Sequence, residues 1–183
     1  MTTTTSTMTS SAETTLETTL RQKIIPKTLR WRPLPAPLVE HDASSPLAVL
    51  RTPDGPVPCR RCLQDSKVGE EMLLMSYDPF LGDSPYRCAS PIYVHAKSSC
   101  ELAFFQASGG GLLPEQQRTR RLAVRAYDGK HMMQDAEEID GDDLLETCQR
   151  LLGDDTSAEY CHVHYVAPGC FAVRVEKASS RGN

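Results

Sequence analysis

The residue types best suited to chemistry in this chain are two histidines spaced one residue apart, His162 and His164, within Ser157–Lys177 (SAEYCHVHYVAPGCFAVRVEK). An imidazole with a pKa near neutral can exchange protons or ligate a metal, so the direction in which each ring points decides its use. Two runs rich in Val, Tyr and Phe flank Ala167-Pro168-Gly169, where Pro presets φ and Gly accepts the positive φ of a turn, so a β-hairpin is expected. A loop of two or four residues puts Val166, His164 and His162 on the face of Phe171, Val173 and Val175. A loop of three or five puts Cys161, Val163 and Tyr165 there instead. The second register makes one clean apolar face, and a buried face is what sets register. It predicts a five-residue loop, Val166–Cys170, with His162, His164, Arg174 and Glu176 on the opposite, polar face.

Two further strand-like runs carry candidates of the same kind. In PIYVHA, Ile92, Val94 and Ala96 share a face and leave Tyr93 and His95 on the other. In RRLAVRAYD, Leu122, Val124 and Ala126 oppose Arg125. His95, Arg125, His162 and Arg174 together would line a pocket for a small molecule bearing a carboxylate or phosphate, because guanidinium groups grip such anions bidentately. His162 or His95 would be the catalytic general acid or base, with Arg125, Arg174 and His164 binding the ligand. Whether any reaction follows is left open, and ordinary strand-face residues are the competing reading. The first expectation includes no cofactor.

The alternative is zinc. Cys59-Arg60-Arg61-Cys62 has the C-x-x-C spacing that lets two thiolates reach one ion, and the His162/His164 pair would complete the set, with support from Cys88, Cys100 or His95. A thioredoxin-like use of the two thiols would need a βαβ context that the sequence lacks. Cys59 or Cys170 as a nucleophile paired with His162 is a third reading, without a nucleophile-elbow signature. A scaffold that binds a partner through its tail and acidic helix is a fourth.

These residues must be positioned by sheet. Lys23–Trp31 suits a short edge strand, since Pro26 excludes a central one. Glu70–Tyr77 suits a central strand. Asp128-Gly129 predicts a hairpin between Arg120–Asp128 and His131–Ile139. Leu47–Leu50 is a short apolar segment within a loop, and the Gly109-Gly110-Gly111 run marks another loop. The clearest helix is Asp142–Leu152: Leu144, Leu145, Cys148, Leu151 and Leu152 fall on one face, with Asp140 as N-cap and Gly153 closing. About six strands and this amphipathic helix predict an α+β fold, a mainly antiparallel sheet or partly open barrel packed against the helix.

The 183 residues, with 39% hydrophobic and 24% charged, suit a single globular domain. It is expected over 58–177, preceded by a disordered Thr/Ser-rich tail (1–20) and a Pro-rich lead-in (21–57), and followed by a frayed end (178–183). The net charge of −4 argues against a dedicated nucleic-acid binder. No apolar run is long enough to span a bilayer. The N-terminus lacks the basic and apolar regions of a secretory signal, so the protein is expected in the cytosol, with the nucleus as alternative, and not secreted. Seven cysteines, an odd count, are expected to be mostly reduced. Oligomeric state has no signature here.

Six stretches in order, PCRRCL (58–63), GEEMLLMSYDPF (69–80), SPY (84–86), PIYVHA (91–96), VRAYD (124–128) and HVHYVAPGCFAVRV (162–175), resemble a family catalogued as a domain of unknown function, numbered 1203. The resemblance implies a shared fold over roughly 58–177 and no particular activity. That family commonly carries arginine at the position of His164 and does not always keep the second cysteine of the pair. The resemblance therefore implies His162, His95 and Arg125 as the candidate residues.

Overall fold

The computed structural model of the protein describes residues 24–34, 48–96 and 111–178. The expectations for the 1–20 tail, for Cys100, for Gly109 and Gly110 and for residues 179–183 lie outside the described residues.

Alternating apolar and polar positions dominate the sequence, and the described residues form eight strands: β1 (Leu29–Arg32), β2 (Ala48–Arg51), β3 (Met72–Tyr77), β4 (Ser90–His95), β5 (Arg121–Tyr127), β6 (Met133–Asp140), β7 (Tyr160–Tyr165) and β8 (Phe171–Lys177). A four-residue helix, α1 (Glu115–Arg118), precedes β5; a 3-10 turn (Gly141–Asp143) leads into α2 (Leu144–Leu151). The strands make two antiparallel sheets, one ordered β1-β8-β7-β5-β6 and one ordered β2-β3-β4.

The α+β expectation is corrected. Among the described residues strand accounts for 41% and helix for 12%, and no barrel closes, so the fold is mainly antiparallel β. The physical reason is that the five-stranded sheet is covered on both faces, and the helix covers only one of them. On that side Leu144, Leu145, Cys148 and Leu151 pack against Leu122, Val124, Cys161, Val163, Val173 and Val175. On the other side Phe171 joins Met72, Met75, Ile92 and Val94 of the second sheet. The segment Ala48–Arg51, expected as loop, is the edge strand β2; it pairs with β3 through Ala48↔Met75 and Arg51↔Met72.

The hairpin register is the odd-loop one: Cys161↔Val175, His162↔Arg174 and Val163↔Val173, with 166–170 connecting the strands. One correction applies. A bulge skips Ala172 and sets His164 opposite Phe171, so Phe171 turns onto the histidine face and into the second core rather than lying beside Val173. No helix among the described residues is long and apolar enough to cross a membrane.

Candidate functional site

The C-x-x-C segment folds back on itself. Cys59 N–H donates to Gln64 O (3.0 Å) and Leu63 N–H to Cys59 O (3.1 Å). Leu63 takes a left-handed φ of 57° to close the turn, a conformation uncommon for a branched side chain. The loop is then stitched to the edge of the second sheet, where Cys59 bridges Tyr93 in β4 and Arg60 N–H donates to Tyr93 O (3.0 Å). Helix α1 braces it from the other side. Buried Gln116 donates from Nε2 to Cys59 O (3.3 Å) and accepts from the Tyr165 hydroxyl (2.5 Å).

This places Arg60, 2% exposed, in the wall of a 670 Å³ cavity. Its Nε donates to Phe171 O (2.8 Å), Nη1 to Pro58 O, and Nη2 to Cys170 Sγ (2.9 Å). The guanidinium also lies 5.2 Å from the Tyr165 ring centre, and Arg120 stands 5.5 Å from the same ring. Among the described residues no carboxylate pairs with Arg60, so its charge is buried against carbonyls, a thiol and a ring face. Burial lowers the Arg60 pKa from its ordinary value and raises that of Tyr165. Val57, Leu74, Tyr93, Val166 and Pro168 supply much of the apolar lining. Arg120, also at the cavity, is held by Asp65 at 2.7 Å.

The same loop forms a second constellation. Ligand atoms of Cys59, Cys62 and His95 all lie within 4.8 Å of one another. Cys62 Sγ is 3.5 Å from His95 Nδ1, and His95 N–H donates to Cys59 Sγ at 3.4 Å. His95 Nε2 meets Glu70 Oε2 at 3.4 Å. Hydrogen bonds to Cys59 and then Cys62 raise the His95 pKa to about 10.

The sequence-derived candidates therefore divide. Arg125, His162 and Arg174 stand in one row across β5, β7 and β8, through the pairs Arg125↔His162 and His162↔Arg174. That row is roofed. His162 is fully buried among Phe80 (ring centres 4.8 Å), Tyr160 (5.0 Å), Tyr127 (5.1 Å) and Phe171 (5.5 Å), and both its ring nitrogens lack hydrogen-bond partners among the described residues. Burial, and then the neighbouring Arg174, drive its pKa down to about 2. His164, 7% exposed, has Nδ1 3.4 Å from Gly169 O, and burial lowers its pKa to about 4. Arg174 stacks 3.6 Å over the Tyr160 ring and pairs with Glu176 at 2.7 Å.

Neither His162 nor His164 belongs to the Cys59–Cys62 group, which takes His95 instead. Arg60, Glu70 and Tyr165 were missed as site residues. The only signal for Arg60 was its place between the two cysteines, and nothing local marked Glu70.

No curated protein and no solved structure matches the chain. The model of a family described as "Protein of unknown function (DUF1203)" matches residues 56–177, more than half of the chain. Together with the six ordered stretches noted above, this means that the chain belongs to the DUF1203 family.

Proposed function

We propose that this protein binds a small molecule with an apolar body and a carboxylate head in the cavity walled by Arg60, Tyr165 and Cys170. The observation that carries the reading is a guanidinium, 2% exposed and without a carboxylate partner among the described residues, facing a 670 Å³ cavity. Binding sites for small molecules are commonly clefts of about this size, apolar with a few placed polar groups. A buried charge is costly unless paired, so a ligand carboxylate near Arg60 would be favoured twice, by attraction and by relief of that cost. Arg120 and Arg121 also line the cavity but are already paired, with Asp65 and with Glu138 and Asp140, so one carboxylate on Arg60 suits the site better than a phosphate dianion, which would need more donors. The ligand body would lie against Val57, Leu74, Tyr93 and Pro168.

Decanoate and phenylpropanoate, titrated calorimetrically into the full chain, serve as probes. Val166→Trp should fill the cavity mouth and abolish binding while the melting temperature stays within a few degrees of wild type. Arg60→Met should weaken binding by about 10-fold or more, the usual worth of a charged hydrogen bond. Undiminished binding to Val166→Trp would place the ligand elsewhere and overturn the reading.

A further inference from the structure

We propose that Cys59, Cys62 and His95 form a zinc site, with the two thiolates and Nδ1 as protein ligands and Glu70 orienting the histidine. This inference is independent of any ligand in the neighbouring cavity.

Zinc bound to Cys and His prefers tetrahedral geometry with Zn–S of about 2.3 Å and Zn–N of about 2.0–2.1 Å, so neighbouring S and N ligands should stand about 3.5 Å apart. Cys62 Sγ and His95 Nδ1 stand 3.5 Å apart. All three ligand atoms fall within 4.8 Å of one another, a span that one ion can bridge after small side-chain rotations. The remaining ring nitrogen of His95 is 3.4 Å from Glu70 Oε2, and Glu70 Oε2 itself accepts from Lys67 N–H at 2.9 Å. A metal-ligating histidine characteristically donates its other N–H to such a carboxylate, which fixes both tautomer and ring orientation. The backbone supports the sulfurs as well, since His95 N–H points at Cys59 Sγ.

The competing use of a C-x-x-C pair is thiol–disulfide exchange, which requires an accessible sulfur for the attacking thiolate. Cys59 is 0% and Cys62 6% exposed, which favours a buried metal centre over an exchange site. The topology also gives the ion a task. Cys59 and Cys62 come from the folded-back loop and His95 from β4, so one ion would clamp a tight turn to a sheet edge. On binding, the two thiols and the His95 imidazolium would each release a proton to solvent, freeing Nδ1 as a ligand, and the two thiolates would neutralise the dication. A fourth tetrahedral position would be left to a water molecule.

The test uses the full chain, purified under reducing conditions without added metal. Elemental analysis should find about one zinc per chain. Replacement by cobalt should produce the intense tetrahedral d–d bands and the sulfur-to-cobalt charge-transfer band that mark thiolate ligation. Cys62→Ser should lose the charge-transfer intensity in part, whereas Cys88→Ser, at an exposed cysteine, should leave it whole. Because a buried cysteine variant can fail to fold, Glu70→Gln provides the second arm: it should fold normally and bind zinc about 10–100-fold more weakly in a chelator competition. The proposal is overturned by a reduced protein that takes up neither zinc nor cobalt, by a native Cys59–Cys62 disulfide, by a charge-transfer band undiminished in folded Cys62→Ser, or by a Glu70→Gln affinity equal to wild type.

Discussion

His162 shows how far a residue's chemistry is set by what covers it. In the sequence it sits on the polar side of a hairpin, beside His164 and Arg174. In the fold the ring is fully buried among Phe80, Tyr127, Tyr160 and Phe171. A histidine whose folded pKa is depressed contributes fully above its unfolded pKa of about 6.5 and loses that contribution as pH falls toward the folded value. For His162, facing Arg174, His164, Arg125 and His131, the folded value is about 2, so the loss should run through the whole mildly acidic range. His164, at about 4, adds a second, shorter loss. Each should approach about 1.4 kcal/mol per pH unit below pH 6.5. Urea denaturation of His162→Phe, which also removes two unpartnered ring nitrogens, should show the fold retained and an acid slope shallower by about one proton. An unchanged slope would mean that His162 already titrates normally in the folded protein. At the same scale, the sequence offered His95 only as one of three supporting ligands for Cys59 and Cys62, because its place beside them depends on a bridge between Cys59 and Tyr93 that no local pattern announces. Arg60 was hidden for a related reason: charged residues between two cysteines normally face water, and this one is buried.

At the scale of elements, much was legible wherever one periodicity prevailed. The alternation in Arg121–Tyr127 and the Asp128-Gly129 turn led to the β5–β6 hairpin, and the apolar spacing from Leu144 to Leu151 led to the buried side of α2. Legibility ended where apolar residues ran together. Phe171-Ala172-Val173 suits either phase of a strand, so the bulge that turns Phe171 away from Val173 left no mark in the pattern. Short elements held mainly by tertiary contacts were hidden as well. β2 has exposed Val49 and Leu50, and α1 is a single turn fixed by buried glutamines: Trp31 Nε1 donates to Gln117 Oε1 at 3.0 Å. The junction between α1 and α2 is close. A Cβ on Gly141 would come 2.0 Å from the Gln117 carbonyl oxygen and 2.5 Å from that of Arg118. Neither backbone group can step aside cheaply, so Gly141→Ala should destabilise the protein by about 1–3 kcal/mol, as overpacked sites do. A denaturation midpoint equal to wild type would show that α1 is free to move.

For the whole molecule, the second sheet matters more than the helix that the sequence advertises. By packing on Phe171 it covers part of one face of the five-stranded sheet and brings the C-x-x-C loop against the start of β8. The loop then presents Arg60 to a cavity on one side and two thiols to His95 on the other. The proposed choice of an apolar molecule by its carboxylate is tested by comparing decanoate with decanol, which share a hydrocarbon body and differ in the charged head. Calorimetric titration of each into the full chain at neutral pH should give decanoate an affinity at least about 10-fold higher, the usual margin for a hydrogen bond to a charged group. Equal affinities, or no binding of decanoate, would mean that Arg60 does not hold a carboxylate in this cavity.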